Sequence, residues 1–328
     1  MDGSDANPGT AAQPFQTVGY ALTTAIVSSA ANTIGSGTDG GTDVTVTVVS
    51  AATETVSGDI ATPSLTRGSV TVVGPSGFNL NLSNKLLTLN KGYRLKGFKI
   101  TSGDPSRSGR AAAITLAGVG TSLNTMQIDC EGLNTAGASF RTLGDKCIAV
   151  TALTLDGTIL LKGLEVKIKG DKDFTAAIVH AGNNTTLEVV SSTIESTGNG
   201  GQGVVGVLGQ ASAGPVIVQS STVDLDTITT GNNSSPSIAV WLQKGGSKVL
   251  GPSSQIKLNG TPGTGNDEGA IGVEVSHSSG QVVVDGTAFS TLTNNVGVGI
   301  RKAGTGTLIL GTNTFPTSPP LLKKNTDP

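Results

Sequence analysis

The sequence predicts an all-β chain wound as a right-handed parallel β-helix of about ten rungs, capped by an N-terminal helix. Three observations predict it. The 328 residues hold 47 Gly and only 3% aromatics, so the core must be built from small and β-branched side chains, which suit strands. A two-strand template recurs about every thirty residues. A short amphipathic segment precedes the first repeat.

That segment is PFQTVGYALTTAIVSSAA, residues 14–31, where Phe15, Val18, Leu22 and Ile26 recur at helical spacing. Pro14 suits the start of a helix, with Thr10 or Gln13 as an imperfect N-cap. A stacked coil exposes apolar core and unpaired strands at its ends, so its terminal units must cap it. Residues 1–34 are therefore read as a cap rather than an active-site loop.

Residues 35–315 form the coil. Its template is an apolar residue, a second two positions on and a third seven positions after the first. It reads Ile159, Leu161, Val166 in TILLKGLEV, then Leu187, Val189, Ile194 and Val216, Val218, Val223. Val282, Val284, Phe289 and Leu308, Leu310, Phe315 follow, and the copy at Val249 and Ile256 carries Gly251 in its middle slot. The third slots Val166, Ile194, Val223, Ile256, Phe289 and Phe315 are spaced by 28, 29, 33, 33 and 26 residues. Between copies lie Gly/Asn/Thr-rich loops and a second apolar strand: CIAVTA, AAIVHA, GVVGVLG, SIAVWLQ, AIGVEVS and VGVGIRK. A leucine-rich repeat lacks support in the absence of its Leu/Asn consensus, and a propeller would need four strands per blade.

The last unit, 316–328, is a Pro-rich tail. Pro316, Pro319 and Pro320 discourage strand addition at that end, and Leu321 and Leu322 are expected to fold over the last rung. Open-ended stacking is therefore disfavoured, while side-by-side association of copies is left open. No apolar run reaches about eighteen residues, so no transmembrane helix is expected. No basic block marks nucleic acid as a partner.

The opening GSDANPGTAAQPFQTVGYAL resembles the N-terminal segment of bacterial right-handed β-helix proteins of the pectate-lyase-like superfamily. The matching residues are Gly3, Asp5, Asn7, Gly9, Thr10, Pro14, Phe15 and Thr17. The likeness covers about twenty residues and opens both polysaccharide lyases and related proteins of unknown function. It implies an extracellular or cell-surface bacterial β-helix. The polar start after Met1 fits a mature secreted chain whose signal peptide is absent. Cys130 and Cys147 read equally as a bridge or as two thiols.

Lyases of that superfamily use clustered Asp residues to hold Ca²⁺ and a Lys or Arg base. Calcium needs six to eight oxygens, and no such cluster stands out. Asp171 and Asp173 lie on a loop, and Asp224 and Asp226 share a strand face. No catalytic residue of the family transfers to this chain. No cofactor is expected, Ca²⁺ entering only under a lyase alternative.

Two outward columns remain. The residues after the third slots run Asp129, Lys167, Glu195, Asp224, Lys257, Ser290. Stacked rungs lie about 4.8 Å apart, so Glu195 and Asp224 are the weak candidates for a glycosidase pair. The preferred reading is a charge ladder blunting an exposed sheet. On the second strand, Thr151, His180, Leu208, Trp241, Glu274 and Arg301 are read outward, beside the small residues Ala149, Gly206, Ala239, Gly272 and Gly299. His180, the single Trp241, Glu274 and Arg301 then form a candidate carbohydrate-binding set. The competing reading is a loop or subunit covering that face. The preferred function is a non-catalytic, carbohydrate-associated surface protein. The alternatives are a polysaccharide lyase or glycoside hydrolase, and a purely structural assembly subunit.

Overall fold

Apolar residues two apart on strands that repeat along the chain can all be buried only if the strands pile up. The computed structural model shows them piled into three parallel sheets with ten, nine and ten strands among the described residues. The middle sheet departs slightly from the ten rungs expected. The structure describes residues 4–6, 16–25, 43–65, 68–103, 112–133, 146–152, 157–170, 175–198, 204–228, 237–261, 270–291, 298–316 and 322–323.

Each full rung supplies a strand to sheet A, then to sheet B, then to sheet C, as in Gly157–Lys162, Glu165–Gly170 and Thr175–His180. The template's third slot is a continuous interior file: Ile100, Ile128, Val166, Ile194, Val223, Ile256, Phe289, all buried. Phe315 extends it by stacking on Phe289 with ring centres 4.9 Å apart. One copy is shifted. Val249 pairs with Val218 and Val284, so it occupies the second slot and not the first. Gly251 instead lies in the turn, whose Gly251–Pro252 peptide is cis.

The A-to-B corner explains a recurring pair of residues. Gly97, Thr125, Gly163, Ser191 and Ser220 all have positive φ there. At Gly97 a Cβ would lie 2.7 Å from the Gly74 carbonyl oxygen, so only glycine fits. The next residue turns inward. In the two Ser-Ser corners the buried Ser192 and Ser221 hydroxyls donate to the carbonyls of Val190 and Gln219 at 2.9 and 2.8 Å. Those bonds satisfy carbonyls at a corner where the ladder bends.

Thr17 is the N-cap of a helical turn at Val18–Tyr20, which widens into a π turn at Ala21–Ala25. Thr10 and Gln13, the N-caps expected from the sequence, lie outside the described residues. The Asp5 carboxylate accepts from the Gln16 and Thr17 amides and the Thr17 hydroxyl at 2.9–3.0 Å. Glu54, from the first strand of sheet B, accepts from the Val18 and Gly19 amides at 2.7 and 3.0 Å. Two carboxylates thus meet the orphan donors of the helix start, while Val18, Ala21 and Leu22 are buried. Pro14, Phe15 and Ile26 lie outside the described residues. At the other end Leu322–Lys323 pairs in parallel with Val298–Lys302, so the tail itself occupies that edge of sheet C. Leu321 lies outside the described residues.

Cys130 of sheet B and Cys147 of sheet C are both fully buried and form a disulfide. It ties the two walls across a sequence separation of 17 residues. A loop of that size is worth about 3 kcal/mol in unfolded-state entropy.

Candidate functional site

On sheet B the outward file runs as its spacing predicts: Asp129, Lys167, Glu195, Asp224, Lys257, Ser290. Glu195 and Asp224 are direct neighbours on adjacent strands. Each is met by an ammonium from its other side. Lys167 Nζ lies 3.5 Å from Glu195 Oε2, and Lys257 Nζ lies 3.7 Å from Asp224 Oδ2. Lys167 also contacts Glu165 at 3.0 Å, and Lys99 contacts Asp129 at 2.5 Å. The Lys167 hydrogen bond, foremost, holds the Glu165 carboxyl below its ordinary range. The same bond, followed by the charges of Glu195 and Glu165, raises the Lys167 ammonium. The sequence +, −, −, + relieves the repulsion between the two central carboxylates, as a ladder on an exposed sheet requires. The side chain of Asp226, and all of Asp171 and Asp173, lie outside the described residues. Among the described residues no three His, Cys, Asp or Glu side chains gather as a metal site would need.

Sheet C departs from the sequence reading in register and in direction. Trp241, Glu274 and Arg301 do share an outward file with Leu208, but its earlier members are Ala149 and Val179. His180 belongs to the next file, between Val150 and Gly209, with Leu242 and Val275 beyond. Val150, Leu242 and Val275 are core residues, so His180 points inward. It is fully buried, and its Nε2 lies 2.8 Å from the Thr185 carbonyl oxygen, which therefore accepts the ring proton. Burial holds its pKa below the ordinary 6.5, opposed by that bond.

Of the small-residue column, Gly206, Ala239, Gly272 and Gly299 face in, whereas Ala149 lies in the outward file. From Ala112–Leu116 to Val298–Lys302 strand pairing skips one position on each rung, between Ala176↔Val205 and Ile178↔Val207, for example, or Ile271↔Val298 and Val273↔Ile300. The strand bends there, and two successive residues point to the core. The first must be small. A Cβ on Gly206 would meet Val223 Cγ1 at 2.5 Å, and one on Gly272 would meet the Phe289 ring at 2.9 Å. Cys147 occupies the same position and reaches across to Cys130.

The true outward residues of sheet C form a second apolar cluster: Ala176, Val179, Val205, Leu208, Ile238, Trp241, Ile271 and Val298. None is more than 4% exposed within the single chain. The covering alternative therefore describes this face, and Trp241, expected as an exposed platform, is 3% exposed. Its indole Nε1 donates to Ser276 Oγ at 2.8 Å. Glu274, with 3% of its side chain exposed, is ion-paired with Arg301 on the next rung. A buried carboxylate needs such a partner to remain charged.

Sequence reasoning passed over one feature, a depression of about 410 Å³ on the outer side of sheet A, lined by Arg94, Lys96, Ser122, Asn124 and Thr158 among others. The alternation in YRLK, with Tyr93 and Leu95 inward and Arg94 and Lys96 exposed, was the signal that could have found it.

No protein-family model matches the chain, and no curated protein does. Among solved structures it is similar to the crystal structure of a GH136 lacto-N-biosidase from Eubacterium ramulus, at 10% identity and a TM-score of 0.26. The match covers 96% of this chain and 66%, just under two thirds, of that one. A likeness at that score carries no argument about function. The fold itself, a parallel β-solenoid of three sheets, rests on the strand pairing above.

Proposed function

We propose that the protein is an extracellular or cell-surface β-helix that binds or displays, associated with carbohydrate and not catalytic. One observation carries this reading: in the file Lys167, Glu195, Asp224, Lys257 each carboxylate is engaged by a lysine of a neighbouring rung. A general acid needs a raised pKa and a nucleophile needs an open approach. Carboxylates already paired with flanking ammonium groups serve a ladder better than either role. The buried disulfide supports an oxidising compartment. A covalently tied stack of parallel strands is a stiff support on which side-chain files hold fixed spacings, as extended glycans require. Among the described residues no helix is long and apolar enough to cross a membrane.

The test is incubation with polyuronides and neutral glycans, with and without Ca²⁺, followed by reducing-end and unsaturated-product assays beside a glycan-binding array. The expected result is binding without turnover. Cleavage that Glu195→Gln or Asp224→Asn abolishes would overturn the reading in favour of a hydrolase. Ca²⁺-dependent formation of unsaturated product would favour a lyase.

A further inference from the structure

The outer face of sheet A changes character along the coil. Its first half carries Thr45, Thr71, Arg94, Ser122 and Leu160 in one file. The adjacent file carries Thr47, Val73, Lys96, Asn124 and Lys162. Arg94, Lys96 and Lys162 are exposed, and none has an acidic partner among the described residues. The contrast with sheet B is direct, since Lys99, Lys167 and Lys257 there each hold a carboxylate. Three uncompensated cations on one face also run against the chain's net charge of −2.

The shape follows from side-chain size. Ser122 is short and sits between Arg94 on the rung before and Leu160 on the rung after. Asn124 likewise sits between Lys96 and Lys162. The central rung is therefore the floor of a trough whose walls are long, mostly cationic side chains. Lys96 and Lys162 stand two rungs apart, about 10 Å along the axis. Arg94 donates through Nε to the Gly120 carbonyl oxygen at 3.4 Å, which leaves the outer fork of its guanidinium for a ligand. Thr71, Ser122, Asn124 and Thr158 supply hydroxyls and an amide, and Leu160 a partly buried apolar surface.

The geometry points to a binding trough for an acidic glycan, with Arg94 and Lys96 holding a carboxylate or sulfate and the hydroxyl floor meeting the sugar. An arginine fork matches either anion bidentately. A flat apolar patch beside hydrogen-bonding groups suits a pyranose ring. Nucleic acid fits less well, because no aromatic platform lines the trough and three cations are few for a phosphate backbone. The inference rests on the binding reading above and names its site and ligand class.

Calorimetric titration of the full chain tests it with four probes of equal length: a polyuronide, a sulfated dextran, an uncharged dextran and an oligothymidylate. The variant Arg94→Ser/Lys96→Ser is compared with Lys169→Ser/Lys302→Ser, which removes the same charge elsewhere. Binding of at least one acidic glycan and not of uncharged dextran is expected. It should weaken about tenfold in the first variant, less than twofold in the second, and further as salt rises. The carboxylated and sulfated arms show which anion the trough takes. Equal loss in both variants, no binding of either acidic glycan, or tighter binding of the oligonucleotide would overturn the site. Neutral-glycan binding that survives both variants would do so too while leaving the broader binding reading intact. Turnover of a bound glycan would refute that reading without touching the site.

Discussion

The outer faces of sheets B and C are built on the same rungs and behave as opposites. Sheet B turns charged files to solvent and balances them pair by pair. Sheet C turns a second apolar layer outward, keeps it buried, and ends that layer in the ion pair Glu274–Arg301. The difference teaches that an ion pair's worth here depends on its surroundings rather than its distance. Exposed pairs contribute about 0–1 kcal/mol, whereas breaking a buried one strands a charge.

The largest expected effect follows from that contrast. Glu274→Ala should destabilise the protein by about 3 kcal/mol, because Arg301 is left partly buried without its carboxylate. Chemical denaturation measures it, and a loss no larger than that of an exposed pair would erase the distinction between the two faces. Next comes the bend that makes sheet C different. Gly272→Val should cost about 2 kcal/mol by pressing on the Gly299 carbonyl oxygen and the Phe289 ring, while the same change at the open Gly58 should cost far less.

The third effect depends on pH. His180 has a folded pKa below its ordinary 6.5, so the unfolded chain takes up a proton that the folded chain resists. The stability this histidine supplies is complete above about pH 6.5 and is lost as pH falls below it. Denaturation between pH 7 and 5 should show that decline in the wild type and a flatter profile in His180→Asn. Identical slopes would contradict the assignment. The smallest effect belongs to sheet B, where Glu195→Gln should shift stability by no more than about 0.5 kcal/mol.

The same contrast explains what could be read in advance. The interior file Val166, Ile194, Val223, Ile256 was legible because the short A-to-B corner fixes the distance from second slot to third. The Asp129–Ser290 file beside it followed at once. The Val249 copy failed because its corner contains Pro252 and is longer. On sheet C alternation is broken by the bend, so Ala177/Ile178 and Gly206/Val207 both point inward and a period of two misplaces their neighbours. Connections of unequal length then hid that His180 aligns with Gly209 and not with Leu208. The burial of Val18 and Leu22 was legible from their spacing, but the role of Glu54 was not, since it comes from a strand 36 residues beyond Val18.

Trp241 is the single tryptophan of the chain, so its fluorescence reports on sheet C alone. The account predicts blue-shifted emission and weak quenching by acrylamide or iodide, with both becoming normal on unfolding. Emission at the wavelength of free indole, quenched equally well before and after unfolding, would show the outer face of sheet C open to solvent and contradict the contrast on which the account stands.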